Sequence, residues 1–441
     1  MTIRHSLLAK RPQSDQTLLP MLIRQRDCEL HELNRRRLVQ NELSPPKFRP
    51  MLSLISMSSD IVFKSCSQTP LVMHVRVVSG TGGGPDKTIL NSPRFLDPLG
   101  YRCVCVYLRD PGDDGFSVIA ERAAEKKASL EAVDDFGIKD VGIVSRLREL
   151  VDRYQPTIWH GHDYKSNLLG LMLRRRHPMQ LVTTVHGWVQ KTWKTPLYYF
   201  VDRQCLPRYD RVICVSQDLY DDCLRSGVAA TNLSLIDNAI ALDDYAASND
   251  PAEAKQQLGF STNTTLVVGV GRLSNEKGFD LLIRSIANLI DSGADVSLAI
   301  AGDGAEHDSL QQLIRSTGHQ DRIRLLGFVA DPRTVYRAAD LYALSSRREG
   351  LPNVVLEAMA MGVPVLATKV AGMPTLISDD VNGRLVEPDD MDELQQALAA
   401  LIADPSARQR FGEAGRQTVE ERFSFEGRMK KMVDVYRSLD S

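Results

Sequence analysis

Two glutamates with seven residues between them, Glu349 and Glu357, stand in the run SRREGLPNVVLEAMAMGVPVLA from Ser346 to Ala367. Carboxylates repel phosphate but accept hydrogen bonds from hydroxyl groups. Upstream, the loop GRLSNEKG (Gly271 to Gly278) carries two cations, Arg272 and Lys277. Cations so placed can neutralise a diphosphate and stabilise it as it departs. A glycine-rich turn, SGTGGGPDKT from Ser79 to Thr88, offers bare backbone for close approach to a ligand. His186 ends a β-rich run and is followed by Gly187. Carboxylates for hydroxyls and cations for phosphate together suit a ligand with phosphate in its middle and hydroxyls at both ends. Taken singly, the glutamates also suit a solvated loop and an exposed helix face, and the cations a solvated basic loop.

The elements that position these groups are legible from their apolar runs. Leu341 to Leu344 reads as a strand, Pro352 opens a helix, Gly362 closes it, and Val363 to Ala367 is the next buried parallel strand. Glu349 therefore lies before the helix and Glu357 inside it. The helix opening gathers unpaired N–H groups and the positive dipole end, which suit an anion. Leu266 to Val270 is a strand ending at Gly271-Arg272, and Val296 to Ala301 another ending at Gly302-Asp303-Gly304. Ile323 to Val329 follows. Earlier, Leu71 to Val78, Cys103 to Leu108, Leu181 to Val185, Arg211 to Ser216 and Leu235 to Asn238 read as strands, with an amphipathic helix over Ile143 to Tyr154. Ser216 is placed to cap a helix. The glycine-rich turn departs from the dinucleotide fingerprint, because Pro85 stands where a glycine is needed, and it lacks the Gly-Lys-Ser/Thr ending of a P-loop.

A nucleotide sugar has the ligand layout described above, and the motifs resemble in kind and order those of the retaining GT-B glycosyltransferases ("glycosyl transferases group 1", family 4-like). The family pattern appears as Glu349-Gly350, Pro352, Glu357-Ala358 and Gly362-Val363-Pro364-Val365, and the resemblance runs from about Leu71 to the end. It implies an α/β fold of two Rossmann-like domains whose parallel sheets face a central cleft. Residues 71–241 would be the acceptor domain, 242–422 the nucleotide-sugar donor domain, and 423–441 a terminal helix packing back on the first domain. It further implies transfer of a sugar from a UDP- or GDP-sugar to a hydroxyl acceptor with retained configuration, without a cofactor or a required metal. The acceptor would be a sugar, a polysaccharide or a lipid-linked glycan, in bacterial cell-surface polysaccharide or glycolipid synthesis.

By the same resemblance His186, Arg272, Lys277 and Glu349 are the catalytic set. Gly83, Gly84, Gly302, Val329, Gly350, Leu351, Pro352, Asn353 and Glu357 line the donor site, with Glu357 holding the ribose. The Pro-Asn-Gly usual at the domain crossing is Asp237-Asn238-Ala239 here, which puts that contact in doubt. Two other readings remain open: an inactive GT-B regulatory or scaffold subunit, and a phosphorylase, for which no lysine-bound cofactor site is recognisable.

The 441 residues suffice for two domains and an appendage. A formal charge of -2 gives no field that would recruit nucleic acid or an anionic membrane. No run reaches the roughly 20 apolar residues of a membrane span, and the start lacks a signal-peptide core, which points to the cytoplasm. Seven scattered cysteines argue against a disulfide framework, and Cys103 and Cys105 are too close for a CxxC motif. Residues 1–70 show no resemblance to the family: they form a polar, proline-broken extension with a helix over Leu22 to Glu42 bearing Arg35, Arg36 and Arg37. That extension reads as a weakly structured tail, as a basic arm touching a partner or the inner membrane face, or as a stretch upstream of the true start at Met51, Met57 or Met73. Trp188, Trp193, Tyr198, Tyr199 and Phe200, with Lys191 and Lys194, suit an acceptor gate, a lipid contact or a core helix. His160 and His162 would face one way from a strand, as rim residues of the cleft rather than metal ligands.

Overall fold

The computed structural model describes residues 69–187, 195–245, 250–370 and 372–439. The extension up to residue 68, with its basic helix, lies outside the described residues, as do Trp188, Lys191, Trp193 and Lys194.

Two parallel sheets organise the chain. The first contains β1 (Leu71–Val77), β2 (Arg102–Arg109), β3 (Leu130–Asp134), β4 (Ile158–Gly161), β5 (Gln180–Val185), β6 (Arg211–Cys214) and β7 (Leu233–Leu235), in the order β3-β2-β1-β4-β5-β6-β7. The second contains β8 (Thr265–Val270), β9 (Val296–Ala301), β10 (Ile323–Gly327), β11 (Leu341–Leu344), β12 (Val365–Thr368) and β13 (Arg384–Val386), in the order β10-β9-β8-β11-β12-β13. This is the GT-B arrangement that the motifs imply.

The central strands are apolar throughout because helices cover both faces: every residue of β9, β11 and β12 is buried. In an open parallel sheet, ligands bind beyond the strands' carboxyl ends where the winding reverses. Those points lie between β1 and β4 in the first sheet and between β8 and β11 in the second. The glycine-rich turn follows β1, the Arg272–Lys277 loop follows β8, and the Glu349 loop follows β11.

The final helix, Phe425–Arg437, buries Phe425, Met429, Met432, Val433 and Tyr436 against Val72, Ile158, Val182 and Ile213 of the first sheet. Its buried Arg428 donates to the Asp237 carbonyl and, at 3.2 Å, to Asn238 Oδ1, which fixes the segment where the chain crosses between sheets. Burial lowers the Arg428 guanidinium to about 10. Among the described residues no helix is long and apolar enough to cross a membrane.

One strand reading needs correction, and two edge strands carry no sequence signal. The strand expected over Leu235 to Asn238 is Leu233–Leu235, paired with Val212 to Cys214, because Asp237 and Asn238 are held by Arg428 instead of by a neighbouring strand. β3 was not foreseen. Its sequence, LEAVD, is an edge strand with two acidic residues and one fully buried side chain, so it carries no apolar run. The helix over Ile143–Tyr154 has the expected bounds.

Candidate functional site

Lys277 and Glu349 come from loops separated by three intervening strands, and the fold closes those loops on one another. Lys277 Nζ pairs with Glu349 Oε1, and Ser346 Oγ donates to the same oxygen at 2.8 Å. Arg347 bonds both Asp280 oxygens at 2.8 and 2.9 Å and Asp389 at 2.7 Å, tying the loop after β11 to the helix Phe279–Asp291. Ser345 Oγ donates to the Gly278 carbonyl at 2.9 Å. Gly278 itself has φ +62, and a Cβ there would fall on the Ser345 carbonyl oxygen. Gly278→Ala is therefore expected to cost about 2 kcal/mol or more. A lower melting temperature by differential scanning calorimetry checks it. Gly293→Ala serves as the control, since φ there is also positive (+91) but nothing lies within 4 Å.

Arg272 is exposed at the carboxyl end of β8, with no carboxylate partner among the described residues. Gly302, at φ +152, packs so tightly that a Cβ would strike the Gly271 carbonyl oxygen, and its N–H donates to the Gly327 carbonyl at 2.8 Å. Arg272, Gly302 and the half-buried Val329 thus share one rim formed by β8, β9 and β10.

Glu357 sits on the helix Asn353–Ala360 and is 1% exposed. Tyr336 donates its hydroxyl to Oε2 at 3.0 Å, and Lys87 Nζ pairs with Oε1. Lys87 comes from the helix Gly84–Leu96 that follows the glycine-rich turn, so this pair joins the two sheets' domains. Asn353 does the same, donating Nδ2 to the Gly84 carbonyl at 3.1 Å. A Cβ on Gly84 would lie 2.9 Å from that nitrogen, so a larger residue there would push the Asn353 amide out of this contact. Gly83 N–H donates to Asp86 at 2.6 Å, and Asp86 is held by Arg76 at 2.8 Å. Gly350, Leu351 and Pro352 lead into the same helix, and Asn238 Nδ2 donates to the Leu351 carbonyl at 2.9 Å. The crossing asparagine thus makes a contact although its flanking residues depart from the family pattern. Tyr342 lies near both carboxylates: burial first, then the charges of Glu349 and Glu357, push its hydroxyl well above the usual phenol range. A cavity of about 130 Å³ opens beside Lys87 and Glu357, walled also by Arg122, Lys126, Tyr245 and Arg333.

His186 belongs to a third cluster, on the first sheet. Its Nε2 lies 3.0 Å from His162 Nδ1, and His162 Nε2 lies 3.0 Å from His74 Nδ1. Burial holds the His74 imidazolium down to about 3 and lowers His162 and His186 well below the ordinary range, with Arg76 adding to the effect on both. All three imidazoles are neutral near pH 7. His160 is not on the cleft rim, which corrects the sequence expectation. It is fully buried, 2.7 Å from Tyr436 OH and 2.8 Å from Thr184 Oγ1, because alternate residues of β4 point beneath the sheet toward the final helix. His74, His160 and His162 offer nitrogens within 4.8 Å of one another, but both His160 nitrogens are already engaged.

The structure therefore brings Lys277 together with Glu349, and Glu357 and Asn353 together with the glycine-rich turn, while His186 contacts histidines of its own sheet. Sequence reasoning missed Lys87, His74, Tyr336, Ser346 and Arg347. Lys87 had a usable signal, a cation one turn into a helix that opens at a glycine-rich loop.

Residues 250–418 match the family model for glycosyl transferases group 1, and residues 82–244 that for glycosyltransferase family 4. The lipopolysaccharide core biosynthesis glycosyltransferase LpsE of Rhizobium meliloti is 34% identical over 185 residues, 42% of this chain and 52% of that protein. The D-inositol 3-phosphate glycosyltransferase of Corynebacterium aurimucosum is 25% identical over 391 residues, 81% of this chain and 91% of that protein. In fold, the chain resembles Anabaena HepE, crystallised with UDP and glucose, with a TM-score of 0.72 and 23% identity over 83% of this chain and 99% of that one.

Proposed function

From the chain's membership of the GT-B glycosyltransferases, its two halves matching the family 4 and group 1 models, we propose that it transfers a sugar from a UDP- or GDP-sugar to a hydroxyl acceptor with retained configuration. The observation that carries this reading is the pairing of Lys277 with Glu349 at the winding reversal of the second sheet, beside a buried Glu357. Arg272 and Lys277 neutralise the departing diphosphate, as fixed cations do for charge developing in a transition state. Glu349, held by Ser346, accepts from a hydroxyl of the donor sugar. Glu357, aimed by Tyr336, accepts from the ribose hydroxyls once Lys87 yields its place. His186 lies beside the sugar, while Gly302 and Val329 approach the nucleotide with backbone.

With two cations on the diphosphate, the reaction needs no metal. The leaving phosphoryl oxygen accepts the acceptor's proton on the face from which it departs, so configuration is retained and no further base is required. The acceptor is a sugar or lipid-linked glycan, in cell-surface polysaccharide or glycolipid assembly, as the names of relatives such as LpsE suggest.

Slow donor hydrolysis followed by proton NMR in EDTA tests the reading without a known acceptor. The first-formed free sugar is expected to carry the donor's own anomeric configuration. Release of the opposite anomer would overturn retention, and loss of turnover in EDTA would overturn metal independence.

A further inference from the structure

The three-histidine chain that ends at His186 is not explained by donor binding alone. We infer that His162 and His74 fix His186 as its Nδ1–H tautomer, so that it presents a hydrogen-bond donor, and not a base, to the reacting sugar. This rests on the position beside the sugar proposed above and specifies what His186 does there.

The argument is one of proton counting. A neutral imidazole has one N–H and one lone pair, so a chain of three can be filled in only two directions. In the first, His186 Nε2–H donates to His162 Nδ1, His162 Nε2–H donates to His74 Nδ1, and the last proton is left on His74 Nε2. That atom is buried and has no hydrogen-bond partner. In the second direction, His74 Nδ1–H donates to His162 Nε2, and His162 Nδ1–H donates to His186 Nε2. Only a lone pair is then stranded on His74 Nε2. Buried N–H groups without an acceptor are rare in proteins, which selects the second arrangement. All three residues are then Nδ1–H tautomers. His186 Nδ1 has no partner among the described residues and is the nitrogen left to meet a ligand.

The surroundings keep the chain neutral. A proton added to His162 or His186 would set two N–H groups head to head, one added to His74 would leave a buried N–H without an acceptor, and the nearby charges are the Arg76 and Arg428 guanidinium groups. No carboxylate is hydrogen-bonded to His74, His162 or His186 among the described residues. The cluster does not have the form of a metal site, because His160 and His162 stack at 4.5 Å with an interplanar angle of 11°. Stacked rings do not converge their lone pairs on one point. His162 and His74 are thus positioning residues. A donor at His186 steadies a sugar or phosphoryl oxygen and leaves the acceptor's proton to the departing phosphate.

Long-range proton–nitrogen NMR on the full-length protein labelled with 15N-histidine reads the tautomers without substrate. Assignment is by His186→Asn and His162→Asn among nine histidines. Protonated Nδ1 and bare Nε2 at His186 are expected, and the reverse would overturn the inference. In kinetics, His162→Leu frees the tautomer, and kcat is expected to fall about tenfold with little change in KM for the donor. His162→Asn, whose amide N–H reaches the Nδ1 position, should restore most of that loss; equal losses in both variants, or none in either, would overturn the positioning role. One equivalent of zinc retained through EDTA treatment would also overturn it, by making these nitrogens ligands. If His186→Ala kept the wild-type kcat, the contact with the sugar would be wrong, and with it the functional half of the inference, while the NMR result decides the tautomer independently.

Discussion

Lys277→Met is expected to lower kcat with a nucleotide-sugar donor by about a thousandfold while leaving KM for the donor within severalfold. Methionine keeps the stem and removes only the charge. That charge is balanced by Glu349, so Lys277 enters the reaction already positioned and largely desolvated, its side chain 18% exposed. Negative charge grows on the diphosphate only as the glycosidic bond breaks, so a fixed cation there acts more on the transition state than on the bound donor. Loss of the pair does not unfold the loop, because Ser346 still donates to Glu349 and Arg347 still bonds Asp280 and Asp389. Steady-state kinetics beside a thermal melt separates the two effects. A fall in kcat with an unchanged melting temperature is the expected result, and equal falls in both would place Lys277 among structural residues.

Glu357→Ala should act on binding instead. Hydrogen bonds to a charged group contribute roughly 1.5–3 kcal/mol each, so loss of the ribose acceptor should weaken nucleoside diphosphate affinity by about 10- to 100-fold. The substitution also leaves the Tyr336 hydroxyl without its acceptor and Lys87 without its counter-ion. Glu357→Gln keeps the shape and one acceptor oxygen and should fall between the two. An affinity for Glu357→Ala equal to wild type would remove Glu357 from the donor site and leave it as a clasp between domains.

How far the sequence led differs between fold and site. The buried strands LYAL (β11) and VSLAIA (β9) read as continuous apolar runs because helices cover both faces, and two sets of such runs with interleaved helices imply two parallel sheets. β3 and β13 escaped because an edge strand with charges, or one of three residues, carries no such run. Within the site, the type and order of Arg272, Lys277, Glu349 and Glu357 are properties of one dimension. Their partners are not. Lys87 meets Glu357 across 270 positions, and Tyr336 meets it from a different helix. His74 is a single histidine in a strand, and it joins the cluster only because parallel register sets it opposite His160, one strand over. Asn238 looked compromised by its neighbours, yet its side chain alone makes the contact to Leu351. Pairing between distant elements is decided by register and packing, which residue spacing does not encode.

The claim that the second sheet's loops form a donor site is tested most directly by isothermal titration of the protein with UDP and with GDP in EDTA, repeated on Lys277→Met and Glu357→Ala. One nucleotide is expected to bind the wild type with 1:1 stoichiometry, and both substitutions should weaken it, Glu357→Ala the more strongly. Absence of binding to either nucleotide by a folded protein, or binding that neither substitution alters, would contradict it.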